Sequence, residues 1–388
     1  MKTGTVKVRP STLSGKVKLS GAKNSSLKLL AATLLTEDSV RLTGVPITID
    51  DFRIHLEMLE VLGKRYTIEG DDTVSVTNVD TITDLRYDGR SIRNTLLILG
   101  CLLTRHGRGS VPLPGGCKLG ERKYDLHVKA MEALGARVWD EGDYLYAEAL
   151  DGLRGAEIHL SLRSTGATEN GILMGCLASG TTTVWNPHIR PEILDLIEML
   201  RAMGADIEVN GQESIVIHGK TALTGTEYRC IPDNMEALTL AIATAMTGGD
   251  VEITNFPHEA LEVPMIFLRE SGLNFYRSAQ GNSLLIKPGP IYPIEISTGP
   301  YPGINSDMQP LIAAYATMAR GKSKIVDLRF AGRFLYADEM SSMGVKSEVV
   351  GDALVIHGGN NLRGAEVCAI NLRAGAALLL CGLVAEGE

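Results

Sequence analysis

Cys117 lies in the segment of the sequence whose residue types most directly indicate chemistry. It follows a Pro-Gly-Gly run, and the cations Lys118 and Arg122 come shortly after it. A run of proline and glycine predicts an exposed loop, and neighbouring cations favour the thiolate form of a cysteine. We therefore predict that Cys117 is a general acid or a nucleophile. The alternative is a surface cysteine without a role.

A second candidate site lies where an apolar helix is predicted to begin. Lys23 and Asn24 stand in a polar segment just before the run LKLLAATLL. A helix N-terminus attracts anions because its free N–H groups carry partial positive charge, and a lysine there can hold a phosphate or a carboxylate. Lys23 is therefore a predicted anion-binding residue. The alternative is that Asn24 or Ser25 only caps the helix.

Similar polar openings precede five further apolar helices. These openings are Arg93-Asn94, Ser164-Thr165-Gly166, Asp233-Asn234, Asn305-Ser306-Asp307 and Asn371-Leu372-Arg373. If the segments are related by pseudo-symmetry, the openings converge and favour anionic ligands. The cations that would then meet are Lys23, Arg93, Arg122 and Arg373. Asp307, a carboxylate among cations, is a candidate general base; the alternative is that each opening is a cap.

A repeated unit must position these openings. The apolar helix recurs six times at intervals of about 70 residues, and a helix that is apolar on every face is buried on every face. In the first five copies an amphipathic helix, a glycine at its C-terminal end and a β-hairpin follow. Each unit therefore has the order βαβαββ, which predicts an α/β fold. The sixth copy reaches Glu388 just after its apolar helix, so we expect it to be incomplete.

Six units divide naturally into two domains of three. The predicted domains are residues 23–230 and residues 1–22 together with 231–388, with the opening strand Thr5–Val17 pairing in the second domain. A cleft between two such domains is a usual place for ligands. We therefore expect the active site to lie in that cleft.

Composition excludes several classes of protein. The chain has 388 residues, a formal net charge of -8 and 5% aromatic residues, which disfavours nonspecific nucleic-acid binding. Its six cysteines form no CxxC pair, so neither a zinc cluster nor a disulfide scaffold is predicted. The sequence shows no signal-peptide core and no apolar run of membrane-spanning length. We expect a cytoplasmic protein with no membrane association and no obligate protein partner.

Taken together, these segments resemble the enolpyruvyl transferases along the whole chain. The most specific pieces are LSGAKNSSLKLLAATLL, LPGGCKLGERKYDLH, STGATEN, PYPGINSDMQ and LRAGAALLLCGLVAEG. The LPGGC loop favours the branch of the family whose acceptor is UDP-N-acetylglucosamine, in peptidoglycan synthesis, over the branch that makes enolpyruvylshikimate phosphate. The resemblance implies two inside-out α/β barrels. It implies no metal and no organic cofactor.

The resemblance also implies a reaction. Phosphoenolpyruvate and a uridine nucleotide sugar bind in the cleft, and the sugar 3-hydroxyl adds to C2 of phosphoenolpyruvate while C3 is protonated. Phosphate then leaves the tetrahedral ketal and an enol ether forms. By the same resemblance, Cys117 is the acid and forms a covalent adduct with phosphoenolpyruvate. Lys23 and Arg122 hold its phosphate or carboxylate, and Asp307 is the base on the attacking hydroxyl.

The resemblance also implies that several further residues contact the acceptor. Asn24 matches a sugar contact, and Arg93 a contact in the diphosphate region. The other matching positions are Asp125, Leu126 and His127 at the nucleotide, Ser164, Thr165 and Gly166 near the diphosphate, Arg333 and Phe334 towards the sugar and nucleotide, and Arg373 among the cations.

Two departures from the family pattern leave alternatives open. Asn371 stands where the family has an aspartate, so a proton-transfer role there is lost or moves to Asp307. Arg190 stands where the family has an acid, which changes the charge near the ligand. The alternatives are a paralogue that acts on another nucleotide, such as UMP in nucleoside-antibiotic synthesis, and a non-catalytic relative that binds a nucleotide anion.

Overall fold

The computed structural model describes residues 4–114, 124–279, 281–330, 333–359 and 361–388. Cys117 and Arg122, predicted as the acid and as an anion-binding cation, lie outside these ranges. The described residues form a mixed α/β fold. No helix among them is long and apolar enough to cross a membrane.

Helices and strands alternate along the described chain. The α-helices are α1 (Lys23–Ala32), α2 (Asp50–Val61), α3 (Thr95–His106), α4 (Asp125–Ala133), α5 (Thr165–Gly175), α6 (Pro191–Ala202), α7 (Asn234–Met246), α8 (Glu262–Glu270), α9 (Gln309–Ala316), α10 (Tyr336–Ser342) and α11 (Leu372–Gly382). The β-strands are β1 (Ser14–Lys18), β2 (Val40–Thr43), β3 (Lys64–Glu69), β4 (Thr73–Asn78), β5 (Arg108–Pro112), β6 (Arg137–Glu141), β7 (Tyr144–Glu148), β8 (Glu157–His159), β9 (Thr181–Trp185), β10 (Asp206–Asn210), β11 (Ser214–His218), β12 (Glu227–Arg229), β13 (Asp250–Thr254), β14 (Asn274–Arg277), β15 (Ser283–Lys287), β16 (Glu295–Ser297), β17 (Lys322–Val326), β18 (Lys346–Val350) and β19 (Ala353–His357).

The odd-numbered helices α1 to α11 are the predicted apolar helices. In α3 every residue from Thr95 to Leu103 is buried, because the run TLLILGCLL has no polar face to present to water. Helix α3 packs against α5. A Cβ at Gly100 would lie 1.9 Å from Asn170 Oδ1, so only glycine allows these two helices to approach so closely.

The even-numbered helices α2 to α10 end at the predicted glycines. These glycines have φ between 86° and 100° and are Gly63, Gly135, Gly204, Gly272 and Gly344. Such backbone is in the left-handed region that glycine adopts without strain. The prediction of a glycine C-terminal to each amphipathic helix is therefore confirmed, and each glycine turns the chain into a hairpin.

The sheets repeat one topology. In each, the strand that follows the apolar helix pairs antiparallel with the last strand of the hairpin, and the first hairpin strand lies at the edge. The orders are β12-β2-β4-β3, β5-β7-β6, β10-β11-β9-β8, β1-β13-β15-β14 and β16-β17-β19-β18. The four-stranded sheets each add one parallel strand, as where β8 pairs with β9 from Glu157↔Thr183 to His159↔Trp185.

The described chain forms two compact units. One is the continuous segment Ser20–Ile231, and the other combines Met1–Leu19 with Pro232–Glu388. In the second unit β1 pairs parallel with β13, from Ser14↔Asp250 to Lys18↔Thr254. The Ser11 N–H donates to the carbonyl of Leu383 over 3.0 Å. The N-terminal segment is therefore part of the same unit as the C-terminal half of the chain.

Candidate active site

Lys23 is the first residue of α1, in the unit formed by residues 20–231. Its Nζ lies 2.9 Å from Asp51 Oδ2, and Arg90 forms an ion pair with the other oxygen of the same carboxylate. Asp51 lies in the first turn of α2. Sequence reasoning did not single out Asp51 or Arg90, although an acid in a helix N-terminal turn is a signal that could have found Asp51.

The N-terminus of α1 has no side-chain cap among the described residues. Asn24 is half-buried, the hydroxyl of Ser25 donates to buried Asp195, and Ser26 Oγ donates to the Lys23 carbonyl over 2.9 Å. The alternative that Asn24 or Ser25 caps this helix is therefore wrong. The N-terminus of α1, with its partial positive charge, lies beside a lysine, which suits an anion.

Arg93 and Asn94 open α3, and within the described chain this helix also lacks a side-chain cap. Asn94 points inward: its Nδ2 donates to the Leu27 carbonyl over 2.8 Å and lies 3.2 Å from His55 Nδ1. Burial, together with the charge of Lys28, lowers the pKa of His55 to about 3. The ring is therefore neutral, and Asn94 donates to its Nδ1.

In three other openings a side chain caps the helix that follows. Ser164 Oγ accepts from the Ala167 N–H over 3.4 Å at α5, and Asp233 accepts from two N–H groups at α7. At α11, Asn371 Oδ1 accepts from the N–H groups of Arg373 and Ala374 over 3.0 and 2.9 Å. The capping alternative is thus correct for these helices. Asn371 acts here as a cap, for which an amide oxygen suffices.

The start of α4 lies against the start of α5. Asp125 is exposed, whereas Leu126 and His127 are buried. Asn170 Nδ2 lies 3.1 Å from His127 Nδ1 and donates to the Leu96 carbonyl over 3.1 Å. Burial, with the nearby charge of Arg93, lowers the pKa of His127 to about 3. His127 is therefore a neutral interior group that ties α4 to α5.

Gly166 and Thr165 complete this contact. A Cβ at Gly166 would lie 2.7 Å from His127 Nε2, so the close approach of α5 to the imidazole requires glycine. Thr165 Oγ1 lies 2.7 Å from His188 Nδ1. The structure therefore brings together the predicted positions 125–127 and 164–166, which lie in different segments of the sequence.

Four charged side chains on α1, α5 and the start of α6 lie close together, and three of them, Lys28, Glu169 and Glu192, are buried. Lys28 Nζ on α1 is 3.5 Å from Glu169 Oε1 on α5, and Arg190 donates two hydrogen bonds of 2.7 and 3.0 Å to Glu192. Burial raises the pKa of Glu169 to about 7 against the opposing effect of Lys28. For Glu192 burial also acts upward, but Arg190 outweighs it and the pKa is lowered. The charge of Arg190 is thus neutralised locally by Glu192.

Asp307 is the centre of a separate cluster in the unit formed by residues 1–19 and 232–388. Arg333 Nη2 lies 2.6 Å from its Oδ1, and Arg373 Nη2 lies 3.5 Å from its Oδ2. The Phe330 ring centroid is 5.0 Å from the Arg333 guanidinium carbon. Phe334, in contrast, is buried in the core of the unit. The structure therefore brings Asp307, Arg333 and Arg373 together and places Phe334 behind them.

Two further residues complete the Asp307 cluster, and sequence reasoning missed them in this role. Ser306 Oγ accepts a hydrogen bond of 2.7 Å from Arg333 Nη1 and donates one of 2.5 Å to Asp327. Asp327 comes directly after β17. A carboxylate at the end of a buried strand is a signal that could have drawn attention to it.

The sequence of this chain is similar to those of known proteins along nearly its whole length. A family model described as EPSP synthase (3-phosphoshikimate 1-carboxyvinyltransferase) matches residues 8–388. A UDP-N-acetylglucosamine 1-carboxyvinyltransferase of Caulobacter sp. (strain K31) is 39% identical over 381 residues, covering 97% of this chain and 88% of the relative. A protein of the same name from Novosphingobium aromaticivorans is 40% identical over 387 residues, covering 97% and 90%.

Solved structures show the same fold. The enolpyruvyl transferase NikO from Streptomyces tendae superposes with a TM-score of 0.87 at 26% identity, covering 98% of this chain and 91% of that one. EPSP synthase from Acinetobacter baumannii superposes with a TM-score of 0.76 at 20% identity, covering 98% and 92%. The second likeness concerns the fold alone.

Proposed function

Because this chain belongs to the family described as EPSP synthase (3-phosphoshikimate 1-carboxyvinyltransferase), we propose that it transfers the enolpyruvyl group of phosphoenolpyruvate to the 3-hydroxyl of UDP-N-acetylglucosamine. The observation that carries this choice of acceptor is the identity of 39% over 97% of the chain with a relative named for that acceptor. The reaction releases phosphate and passes through a tetrahedral ketal.

Lys23 supports the proposal in the unit formed by residues 20–231. Within the part of the chain that the structure describes, it lies at a helix N-terminus without a side-chain cap, where the partial positive charge of the helix and the ammonium attract the phosphate or carboxylate of phosphoenolpyruvate. The carboxylate of Asp51 forms an ion pair with the Lys23 ammonium, with Oδ2 2.9 Å from Nζ. We assign Asn24 and Arg93 to the acceptor. The segments 125–127 and 164–166, which pack on one another, would bind its nucleotide and diphosphate.

Asp307 supports the proposal in the other unit. Two guanidinium groups, of Arg333 and Arg373, fix the direction of its carboxylate. In the proposed reaction Asp307 accepts the proton of the 3-hydroxyl as that oxygen forms its bond to C2 of phosphoenolpyruvate. Cys117, outside the described residues, delivers a proton to C3. When phosphate leaves C2, C3 gives up a proton and the enol ether is complete.

The architecture belongs to the same proposal. We propose that each unit is an inside-out α/β barrel, with domains of residues 23–230 and of residues 1–22 with 231–388. Burial of helices on nearly every face supports this, as in α3 and α9. The repeated sheet order around each set of helices supports it as well.

Release of phosphate from phosphoenolpyruvate tests the acceptor. The assay is run in parallel with UDP-N-acetylglucosamine, UMP and shikimate 3-phosphate, and we expect release with UDP-N-acetylglucosamine. The Asp307→Asn variant serves as the control and should lower kcat by roughly 100-fold, as expected for loss of a general base. Release with UMP alone would move the chain to the paralogue, and release with none of the three would favour the binding relative.

A further inference from the structure

Asp327 is a carboxylate in the interior of the unit formed by residues 1–19 and 232–388. It is 2% exposed, and it accepts four hydrogen bonds. The donors are Thr298 Oγ1 at 3.1 Å, Ser306 Oγ at 2.5 Å, and the N–H groups of Arg329 and Phe330 at 3.0 and 3.3 Å. A carboxylate is costly to bury unless its oxygens are satisfied in this way. The four donors therefore satisfy the carboxylate oxygens of Asp327 and fix its position in the interior.

Ser306 connects Asp327 to the candidate base. Its hydroxyl has one proton to donate and lone pairs with which to accept. Because Asp327 takes the proton, a lone pair of Ser306 Oγ is left for Arg333 Nη1 at 2.7 Å. The other terminal nitrogen of Arg333 lies 2.6 Å from Asp307 Oδ1. A continuous chain of hydrogen bonds thus runs from Asp327 through Ser306 and Arg333 to Asp307.

A second contact leads from Asp327 to Arg333. By accepting from the N–H groups of Arg329 and Phe330, Asp327 fixes the turn that follows β17. The Phe330 ring centroid lies 5.0 Å from the Arg333 guanidinium carbon. The arginine side chain is only 9% exposed, so little solvent is available to replace these partners.

We infer that Asp327 is a positioning residue: through Ser306 and the turn that carries Phe330, it holds Arg333 where that arginine orients the carboxylate of Asp307. The inference rests on the proposed function, since Asp307 is a base only if an acceptor hydroxyl is attacked. Asp327 itself contacts no reacting atom. Its effect on the reaction passes entirely through Arg333.

Thr298 and Ser306 offer a matched pair of variants. Both hydroxyls donate to Asp327, but only that of Ser306 also contacts Arg333. We expect Asp327→Asn and Ser306→Ala to lower kcat by roughly 10- to 100-fold, since small displacements of catalytic groups have effects of this size. KM for UDP-N-acetylglucosamine should change by less than about threefold, because most positions assigned to the acceptor, Asn24, Arg93 and the segments 125–127 and 164–166, lie in the other unit. Thr298→Ala also removes the acceptor of the Leu328 N–H but leaves the contact between Ser306 and Arg333, so it should lower the melting temperature and lower kcat by much less than Ser306→Ala.

A spectroscopic measurement separates this inference from the proposed function. The side-chain ¹⁵N signals of Arg333, assigned by their loss in Arg333→Lys, should be sharp in the unaltered protein and in Thr298→Ala. They should broaden in Asp327→Asn and Ser306→Ala as the arginine is released. Sharp signals in both of the latter variants would overturn the inference, whether or not any acceptor supports phosphate release. Activity with unchanged kcat in both would overturn it as well. If Asp327→Asn does not fold, the smaller change Ser306→Ala decides.

Discussion

Asp51 and Asp307 play corresponding parts in their two units. Each carboxylate pairs with two cations, Asp51 with Lys23 and Arg90, and Asp307 with Arg333 and Arg373. Partly exposed ion pairs add only about 0–1 kcal/mol to stability, so such clusters are better explained by the need to hold charged groups in place.

Asp51 can be tested against its neighbour Asp50. Both lie in the first turn of α2 and interact alike with the helix dipole, but it is Asp51 that forms the ion pairs with Lys23 and Arg90. We expect Asp51→Asn to lower kcat/KM for phosphoenolpyruvate by roughly tenfold, equivalent to about 1.4 kcal/mol, because the Lys23 ammonium loses its anchor. Steady-state kinetics measure this, and Asp50→Asn is the control. Equal effects of the two variants would contradict the assigned role of Asp51.

At the scale of elements, the central helices are held in register by buried polar groups. Helices that are apolar on every face can pack in several registers with similar burial of surface. Asn94 links α3 to the Leu27 carbonyl of α1, and Asn170 links α5 to the Leu96 carbonyl of α3. Each asparagine also contacts a buried histidine on the neighbouring amphipathic helix. An unsatisfied buried group costs about 1–3 kcal/mol, so these links favour one arrangement over the others.

The ion pair between α1 and α5 predicts how stability depends on pH. The pKa of Glu169, about 7 in the folded protein, lies above its ordinary value of 4.5, so folding binds a proton at this carboxyl. The stability that this bound proton adds to the folded protein is fully present below pH 4.5 and is lost as the pH rises through 7. Between pH 5 and pH 8 we expect the wild-type protein to lose of the order of 2 kcal/mol relative to Glu169→Gln.

Urea unfolding midpoints at several pH values measure this effect. Glu192→Gln is the companion variant, because the negative charge of Glu192 is one of the causes that raise the pKa of Glu169. Its loss should therefore shift the fall in stability towards lower pH. Midpoints of the wild type and Glu169→Gln that run parallel would show that Glu169 does not titrate there.

At the scale of the whole molecule, the two units differ in how the chain builds them. Residues 20–231 are continuous, whereas the other unit needs residues 1–19 as well as 232–388. Strand β1 covers the edge of β13 over five paired residues. An uncovered strand edge exposes unpaired backbone groups and promotes aggregation. The N-terminal segment is therefore a structural part of the unit that contains Asp307.

Fragments of the chain test this organisation. We expect residues 20–231 expressed alone to show a cooperative thermal transition by circular dichroism, because the sheets of this unit are formed within it. Residues 232–388 alone should aggregate or lack such a transition, and fusion of residues 1–19 to them should restore it. Cooperative folding of 232–388 without the N-terminal segment would contradict the prediction.

The sequence alone determined those features of the protein that depend on the local pattern of residues. Hydrophobic periodicity and glycine position predicted the repeat, the buried helices and the helix ends, because these follow from side-chain polarity and backbone sterics within a short segment. The resemblance to the enolpyruvyl transferases, drawn from the motifs, is confirmed by the family match. Lys23 and Asp307 were also recognised from their local context, a cation or an acid at the start of an apolar helix.

Only the tertiary structure decided which of the described polar openings supply a side-chain cap and which do not. Asn24 and Asn371 have the same side chain at the start of an apolar helix, yet Asn371 caps α11 and Asn24 does not cap α1. Likewise Asp51 and Asp327 acquire partners that lie far from them in the sequence. Hydrogen bonds and ion pairs depend on distances of a few ångströms between separate elements. No pattern within one segment specifies those distances, and they exist only once the helices have packed.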